Sequence, residues 1–473
     1  MTAVDQHAGY IPSDVAATRT MQIWPTLWLT LVAVLVISLP NLADPMIRHD
    51  DFPAFFADPE GFWYKTLHEG RWVSYFWHLR GFQTPAWLNF AVYQACWALL
   101  AAAIATLSLG RSGLTWFSGA LALMILASPS AALISLWFNT LLPGLALVAL
   151  FAALGCRLSN RQMRLLLPPF VALTFMSYTT YPLILLCICL LRTERRSLLD
   201  LISLLALFAA SFAGAVLLTY AINWQVHGVF GVPLAPWRDA TPAADVAGML
   251  ANLPKLGESL VDFAMRTSYE FVPALLYHIL LLIGATVVVA RRNALEALYL
   301  HAGLFTGLAL VAVQVMKVGA IAPPRAFIFV WIFYAVLAVR AACILTAQSG
   351  LAGRMGRNAV ALVILSYLLQ VGVQYADYRP WQHETRAISR AAMAHDGDIY
   401  VFGDPARGPA AQQAFLQTGE ALHYRMQQLA QRHVIFCART PADCAEADRL
   451  RTRNPQVVPH VEGHQLGVFV SYD

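Results

Sequence analysis

Apolar residues in this chain run in long blocks, and polar residues collect between them. Blocks at 23–39, 87–109, 131–154, 198–222, 272–290, 294–316, 326–345 and 359–375, with a shorter one at 114–127, fall near the length a helix needs to cross a bilayer. A further run, 165–191, reads as one long helix or as two short ones broken near Ser177-Tyr178-Thr179-Thr180-Tyr181-Pro182. The loop before it carries Arg157, Arg161 and Arg164, and the loop after it carries Arg192, Arg195 and Arg196. Both loops share one side of a membrane only if the run enters and returns, so charge parity selects two short helices. The pattern predicts an α-helical polytopic membrane protein with about 11 transmembrane helices.

Eleven crossings put the amino-terminal tail, 1–22, in the cytoplasm and the carboxyl end outside. Arg111, Arg291, Arg292, Arg354 and Arg357 then join the other arginine loops inside, and the short outside loops carry little besides Lys317 and Arg325. The tail is polar and lacks a basic n-region and a cleavage site, so the first block reads as an uncleaved anchor. Within the predicted membrane domain, 23–375, two long loops fall outside, 41–86 and 223–271. The first is rich in Trp and Tyr, as suits helices lying in the interface. The second holds Trp237-Arg238-Asp239, a segment placed to cover a site.

From about residue 376 charges become frequent and apolar runs shorten. Short strands at 398–402, 433–437 and 466–471 and a helix at 412–431 predict a small α/β domain, 376–473, on the extracytoplasmic side. Cys437 and Cys444 flank a turn there. An oxidising compartment permits them to pair, and sequence does not fix their separation. The other five cysteines lie in or beside apolar blocks and read as small buried hydrophobes.

Composition sharpens this picture at two points. The chain is 58% hydrophobic and only 12% charged, which excludes an ordinary soluble domain. Its net charge is +5, and its positive charge is nearly all arginine, with lysine only at 65, 255 and 317. No basic stripe with interleaved aromatics is present, so nucleic acid is not an expected partner.

Against that background Ile47-Arg48-His49-Asp50-Asp51-Phe52 stands out, because ionisable groups beside a membrane are functional candidates. Adjacent carboxylates point in different directions on a helix or a strand, so Asp50 and Asp51 do not read as a dyad sharing a proton. One can serve as a general base while the other binds a neighbour, a metal or an acceptor. The plainer reading is a solvated loop with helix-capping aspartates. His49 and His68 are polar contacts or metal ligands, but no metal-binding spacing supports a ligand set. A divalent cation beside Asp50 and Asp51 is compatible with the pair.

One anchor helix, a first external loop opening with Asp50-Asp51, and interfacial helices leading to Glu69-Gly70-Arg71-Trp72 resemble the GT-C superfamily of polytopic glycosyltransferases. Within it the chain is most similar to bacterial glucosyltransferases that decorate O-antigen. The resemblance spans about residues 20–375. It implies inverting transfer of a sugar, glucose favoured, from a polyprenyl-phosphate donor to lipopolysaccharide or another envelope glycan, at the periplasmic face of an inner membrane. It maps the base to Asp50 and leaves Asp51 to orient the acceptor or a cation. The leaving phosphate needs a cationic partner, for which Arg325 is the first choice and Lys317 its neighbour. Glu69 and Arg71 position substrate, or pair with each other or with Asp50. Tyr178 and Tyr181 line a lipid cavity or pack helices. Two rivals remain: a flippase or transporter, which needs charge within its helices, and an O-antigen polymerase, which draws on arginines of later loops.

Overall fold

The computed structural model describes residues 13–110, 115–193, 195–348, 350–452 and 458–472. Arg111 and most of the amino-terminal tail lie outside the described residues. The side chains through Met21 and Gln22, and that of Trp237, are likewise not described. The chain forms two compact units. The first holds Pro53–Val371 together with the chain up to Leu39. The second holds Pro40–Phe52 and Gly372–Asp473.

Among the described residues, eight helices are long and apolar enough to cross a membrane: Ile23–Leu42, Ala86–Leu109, Pro129–Gly155, Leu198–His227, Val272–Arg292, Ala294–Val318, Pro324–Gln348 and Gly350–Met393. The chain is thus a helical, multi-pass membrane protein. The three other expected crossings fall on Trp116–Leu126, Asn160–Phe175 and Tyr181–Arg192, which have 11, 16 and 12 residues. These are shorter than the roughly 20 residues a full crossing takes. The run at 165–191 is two helices, divided at Met176–Thr180, where Ser177 and Thr180 sit buried.

The first unit is layered. Ala86–Leu109, Pro129–Gly155 and Pro324–Gln348 are mostly buried and form its centre, with Tyr93, Trp97, Phe138 and Phe333 fully enclosed. Leu198–His227 and Val272–Arg292 instead show Leu199, Ile202, Leu217, Leu276, Leu280 and Ile283 at the surface. In water such a surface would drive aggregation, whereas in a bilayer it is the expected lipid-facing side. Two polar ends close the stack. At one, the interfacial helices Pro59–Glu69 and Trp72–His78 meet the loop of residues 223–271 and the turn after Val318. At the other, the arginine loops gather: Arg164 bonds Asp200 at 2.8 Å, Tyr299 donates to the same carboxylate at 2.8 Å, and Arg340 grips Glu296 through two bonds of 2.7 and 3.0 Å.

The second unit differs from expectation in its boundaries. Gly350–Met393 is one helix of 44 residues, and its later half carries Tyr378, Trp381, Thr385, Ile388 and Ala392 buried on a single helical stripe. Four strands follow, β1 (Asp398–Gly403), β2 (Val434–Phe436), β3 (His460–His464) and β4 (Gly467–Tyr472), in the order β2-β1-β4-β3. β1 runs parallel to β2 and β4, with Ile399 opposite Val434 and Val401 opposite Val470, and β3 is antiparallel to β4. Phe402, Phe469 and Ala447 pack around the Cys437–Cys444 disulfide. The segment Pro40–Phe52, expected as the start of a membrane-domain loop, is built into this unit. Asp44 pairs with Arg386 at 3.0 Å and with buried Arg425, Gln382 donates to the carbonyl of Asp44 at 2.6 Å, and Phe52 stacks on Tyr424 at 5.5 Å.

The disulfide sets a count that chemistry can check. Denatured without reductant, the protein should take five alkyl groups, at Cys96, Cys156, Cys187, Cys189 and Cys343, and seven after reduction, read by intact mass. Seven in both conditions would remove the bridge.

Candidate functional site

The motif Glu69-Gly70-Arg71-Trp72 is a helix end and a restart. Asp58 caps the first interfacial helix, accepting from the N–H groups of Glu60 and Gly61 at 3.0 and 3.1 Å, with Pro59 in its first turn. Gly70 closes it in the left-handed conformation, φ +66, a backbone state that costs an L-residue about 1–2 kcal/mol. A side chain there would also press Thr219 at 2.7 Å. The sharp turn sets Glu69 and Arg71 side by side, Nε to Oε2 2.6 Å. Trp72 begins the next helix and its indole donates to Asn223 Oδ1 at 2.9 Å.

A second guanidinium completes the cluster. Arg238, from the 223–271 loop, reaches the other oxygen of Glu69 at 3.2 Å. One carboxylate thus faces two cations, a local excess of positive charge. Glu69 is nearly buried, and the Arg71 guanidinium lies over the Tyr178 ring at 5.8 Å. Tyr178 and Tyr181 are themselves buried, with rings 5.2 Å apart, so they serve packing as well as this contact.

The 223–271 loop is pinned on both sides. On one, Asn223 donates to the carbonyls of Leu67 and Gly231 at 3.2 and 2.6 Å, and His68 Nδ1 donates to that of Pro233 at 2.9 Å. On the other, the N–H groups of Thr241 and Ala243 meet the carbonyls of Gly319 and Lys317 at 3.1 and 2.9 Å. Asn252 and Lys255 donate to the carbonyls of Met316 and Gly319 at 2.9 and 2.5 Å. Lys317 donates to the carbonyl of Ala243 at 2.6 Å. Its ammonium therefore holds this loop. Gly319, at φ +66, leaves no room for a side chain against the Thr241 carbonyl.

Arg325 lies on a 3-10 turn, Pro324–Phe327, with its guanidinium 4.0 Å from the centre of the Trp137 ring. Cation–π stacking of this kind orients the plane and leaves the N–H edge for other acceptors. Among the described residues no acceptor bonds that edge.

His49, Asp50 and Asp51 belong to the second unit, on a single 3-10 turn closed by the Asp51 N–H and the Arg48 carbonyl at 3.0 Å. The turn separates the two acids. Asp51 is fully buried, whereas His49 and Asp50 are half-buried. Among the described residues no group of three or more His, Cys, Asp and Glu is placed to hold a metal ion.

His78 closes the second interfacial helix and is fully buried, its ring 4.0 Å from Phe62. Nδ1 donates to the Ser74 carbonyl at 2.6 Å. Burial, reinforced by the Arg80 and Lys65 charges, pushes its pKa down to about 4, so the ring is neutral at physiological pH.

The sequence offers Glu69 with Arg71 as one alternative pairing and Arg238 only as part of a covering segment, and it does not point to Asp44, Trp137 or the Glu296–Arg340 pair. Acid or base on an apolar block was the available signal for Glu296 and Arg340. Compared with protein-family models, curated proteins and solved structures, the chain matches none.

Two substitutions test the backbone of this region. Gly70→Ala should lower stability by about 1–2 kcal/mol, the left-handed cost. Gly319→Ala should lower it further, since the blocking atom is a backbone oxygen; thermal unfolding in detergent measures both, and equal wild-type midpoints would refute the turn geometry. His78 gives a pH signature. Its folded pKa lies below the unfolded value of 6.5, so its contribution is complete above pH 6.5 and declines toward pH 4, at about 1.4 kcal/mol per pH unit. His78→Phe should flatten the fall of the melting temperature across that window.

Proposed function

We propose that the protein is an integral-membrane glycosyltransferase of the GT-C type, with about 11 membrane segments when the short helices are counted. In this reading it moves a sugar, glucose favoured, from a polyprenyl-phosphate donor to an envelope glycan such as lipopolysaccharide. The membrane is a bacterial inner membrane, with the amino terminus cytoplasmic and the carboxyl-terminal unit periplasmic. Asp50 is the general base, taking the proton from the acceptor hydroxyl as that oxygen attacks the anomeric carbon and the lipid phosphate departs. Arg325 receives the phosphate.

The observation that carries this reading is the division of labour on the 49–51 turn. Asp51 is fully enclosed while Asp50 keeps access to solvent, which suits one reactive carboxylate and one positioning carboxylate. Arg325 supports it from the first unit: a guanidinium oriented by an aromatic face, with its bidentate edge uncommitted, matches what a phosphate needs. Arg71 and Arg238 add positive charge at the same end of that unit.

A transporter is the less favoured reading. It needs charge near the middle of its helices. Asp200 and Glu296 instead sit in the first turns of theirs, each already held by arginine.

The test uses purified protein in nanodiscs with polyprenyl-phosphate glucose and lipopolysaccharide, following release of polyprenyl phosphate. Wild type should turn over, and Asp50→Asn should lose at least about 10²-fold in kcat, the scale of a missing general base. Arg325→Gln should also slow turnover, more than Arg325→Lys. Undiminished turnover in Asp50→Asn removes that residue from the mechanism. Movement of intact lipid-linked sugar without phosphate release would establish the transporter instead.

A further inference from the structure

At the arginine-rich end of the first unit, the helices Asn160–Phe175 and Leu198–His227 run in parallel, because Tyr181–Arg192 returns the chain between them. Between them lies a groove of about 480 Å³ lined by Asn160, Arg161, Arg164, Leu165, Pro168, Asp200 and Leu207. Its lining is graded. Asn160, Arg161, Arg164 and Asp200 stand at the starts of the two helices, and Pro168 and Leu207 lie seven residues beyond Arg161 and Asp200. Seven residues of helix measure about 10 Å, so charge passes to hydrocarbon-like surface over that depth.

The charges at the polar end do not cancel. Asp200 is taken by Arg164 at 2.8 Å and by the Tyr299 hydroxyl at 2.8 Å. Arg161 is exposed on the first turn and makes no ion pair among the described residues. The amino ends of both helices, capped by Ser159 and Ser197, add their positive dipole ends at the same place. A small soluble anion would use this end alone and gain nothing from the apolar wall. An apolar molecule would use only the wall. A molecule with an anionic head and a hydrocarbon chain uses both.

We propose that this groove is a binding site for one anionic phospholipid, its phosphate at Arg161 and Arg164 and an acyl chain along Leu165, Pro168 and Leu207. The occupant belongs to the leaflet that faces the arginine loops, where basic pockets between membrane helices retain acidic lipids. Within the first unit the groove lies at the end away from Arg325, and it does not depend on the transfer reaction proposed above.

Native mass spectrometry of the full-length protein, supplied with equal phosphatidylglycerol and phosphatidylcholine, tests the assignment. Wild type should keep the phosphatidylglycerol adduct in preference. Arg161→Gln should weaken its retention about fivefold, the effect of removing one interfacial cation, with Arg161→Lys closer to wild type. Leu207→Trp, which fills the apolar wall, should displace the lipid while leaving the arginines in place. Monodisperse elution and a wild-type melting temperature show that each variant is folded; a variant failing this check is replaced by Leu207→Phe for the same readout. Equal retention of the two lipids overturns the proposal. So does phosphatidylglycerol retention unchanged by Arg161→Gln and Leu207→Trp, or its displacement by millimolar inorganic phosphate, which would mark a site for a free anion.

Discussion

Glu69 is a nearly buried carboxylate with a guanidinium on each oxygen, and the polar end of the first unit is arranged around it. Removing that carboxylate would leave Arg71 and Arg238 facing each other in partly desolvated surroundings, a far larger penalty than losing a surface ion pair. The arrangement depends on the backbone. Only a left-handed residue at 70 lets the interfacial helix stop and restart within two residues, so that an acid and a base two positions apart become partners. Arg238 then ties the 223–271 loop to the first loop, and the hydrogen bonds from Thr241, Asn252 and Lys255 tie it to the chain after Val318. Loops that look independent in sequence are one hydrogen-bonded assembly.

The second unit solves a similar problem with a different acid. Asp44 takes Arg386 and Arg425, and the neighbouring Asn41 oxygen accepts from the Met46 N–H at 3.0 Å. Met46, Ile47 and Phe52 are buried. The Asp50–Asp51 turn is consequently a short span between fixed points, and its two carboxylates are held in unlike environments. That difference gives an adjacent pair of acids unlike exposure. A flexible loop would expose both alike.

The two polar ends of the first unit also divide their charge differently. At one end two arginines share the single acid Glu69, and Arg325 stacks on Trp137. At the other, Arg164, Arg196 and Arg340 converge on two acids in the first turns of helices, and Tyr299 donates to Asp200. Acids there are favoured by the helix dipole as well as by their partners. Between the ends the helices carry little charge, as the cost of desolvation in hydrocarbon requires.

Sequence by itself determined the class of protein and most of its helices, because in lipid every backbone group must bond within its own segment and apolar blocks of sufficient length leave only the helix. It also placed the break near Ser177–Pro182, since loop charge reports which side of a membrane a segment ends on. It was less informative beyond residue 375. The stripe Tyr378, Trp381, Thr385, Ile388 and Ala392 carries a helical period that the rising charge obscured, and β3 is too short and too polar to read as a strand. Tertiary structure decided the pairings: Glu69 with Arg238, Arg325 with Trp137, Asp44 with Arg386 and Arg425. These join residues far apart in the chain, and no local pattern encodes them. An acid's partner is fixed by which helices pack and at what depth, and local propensity has no access to either.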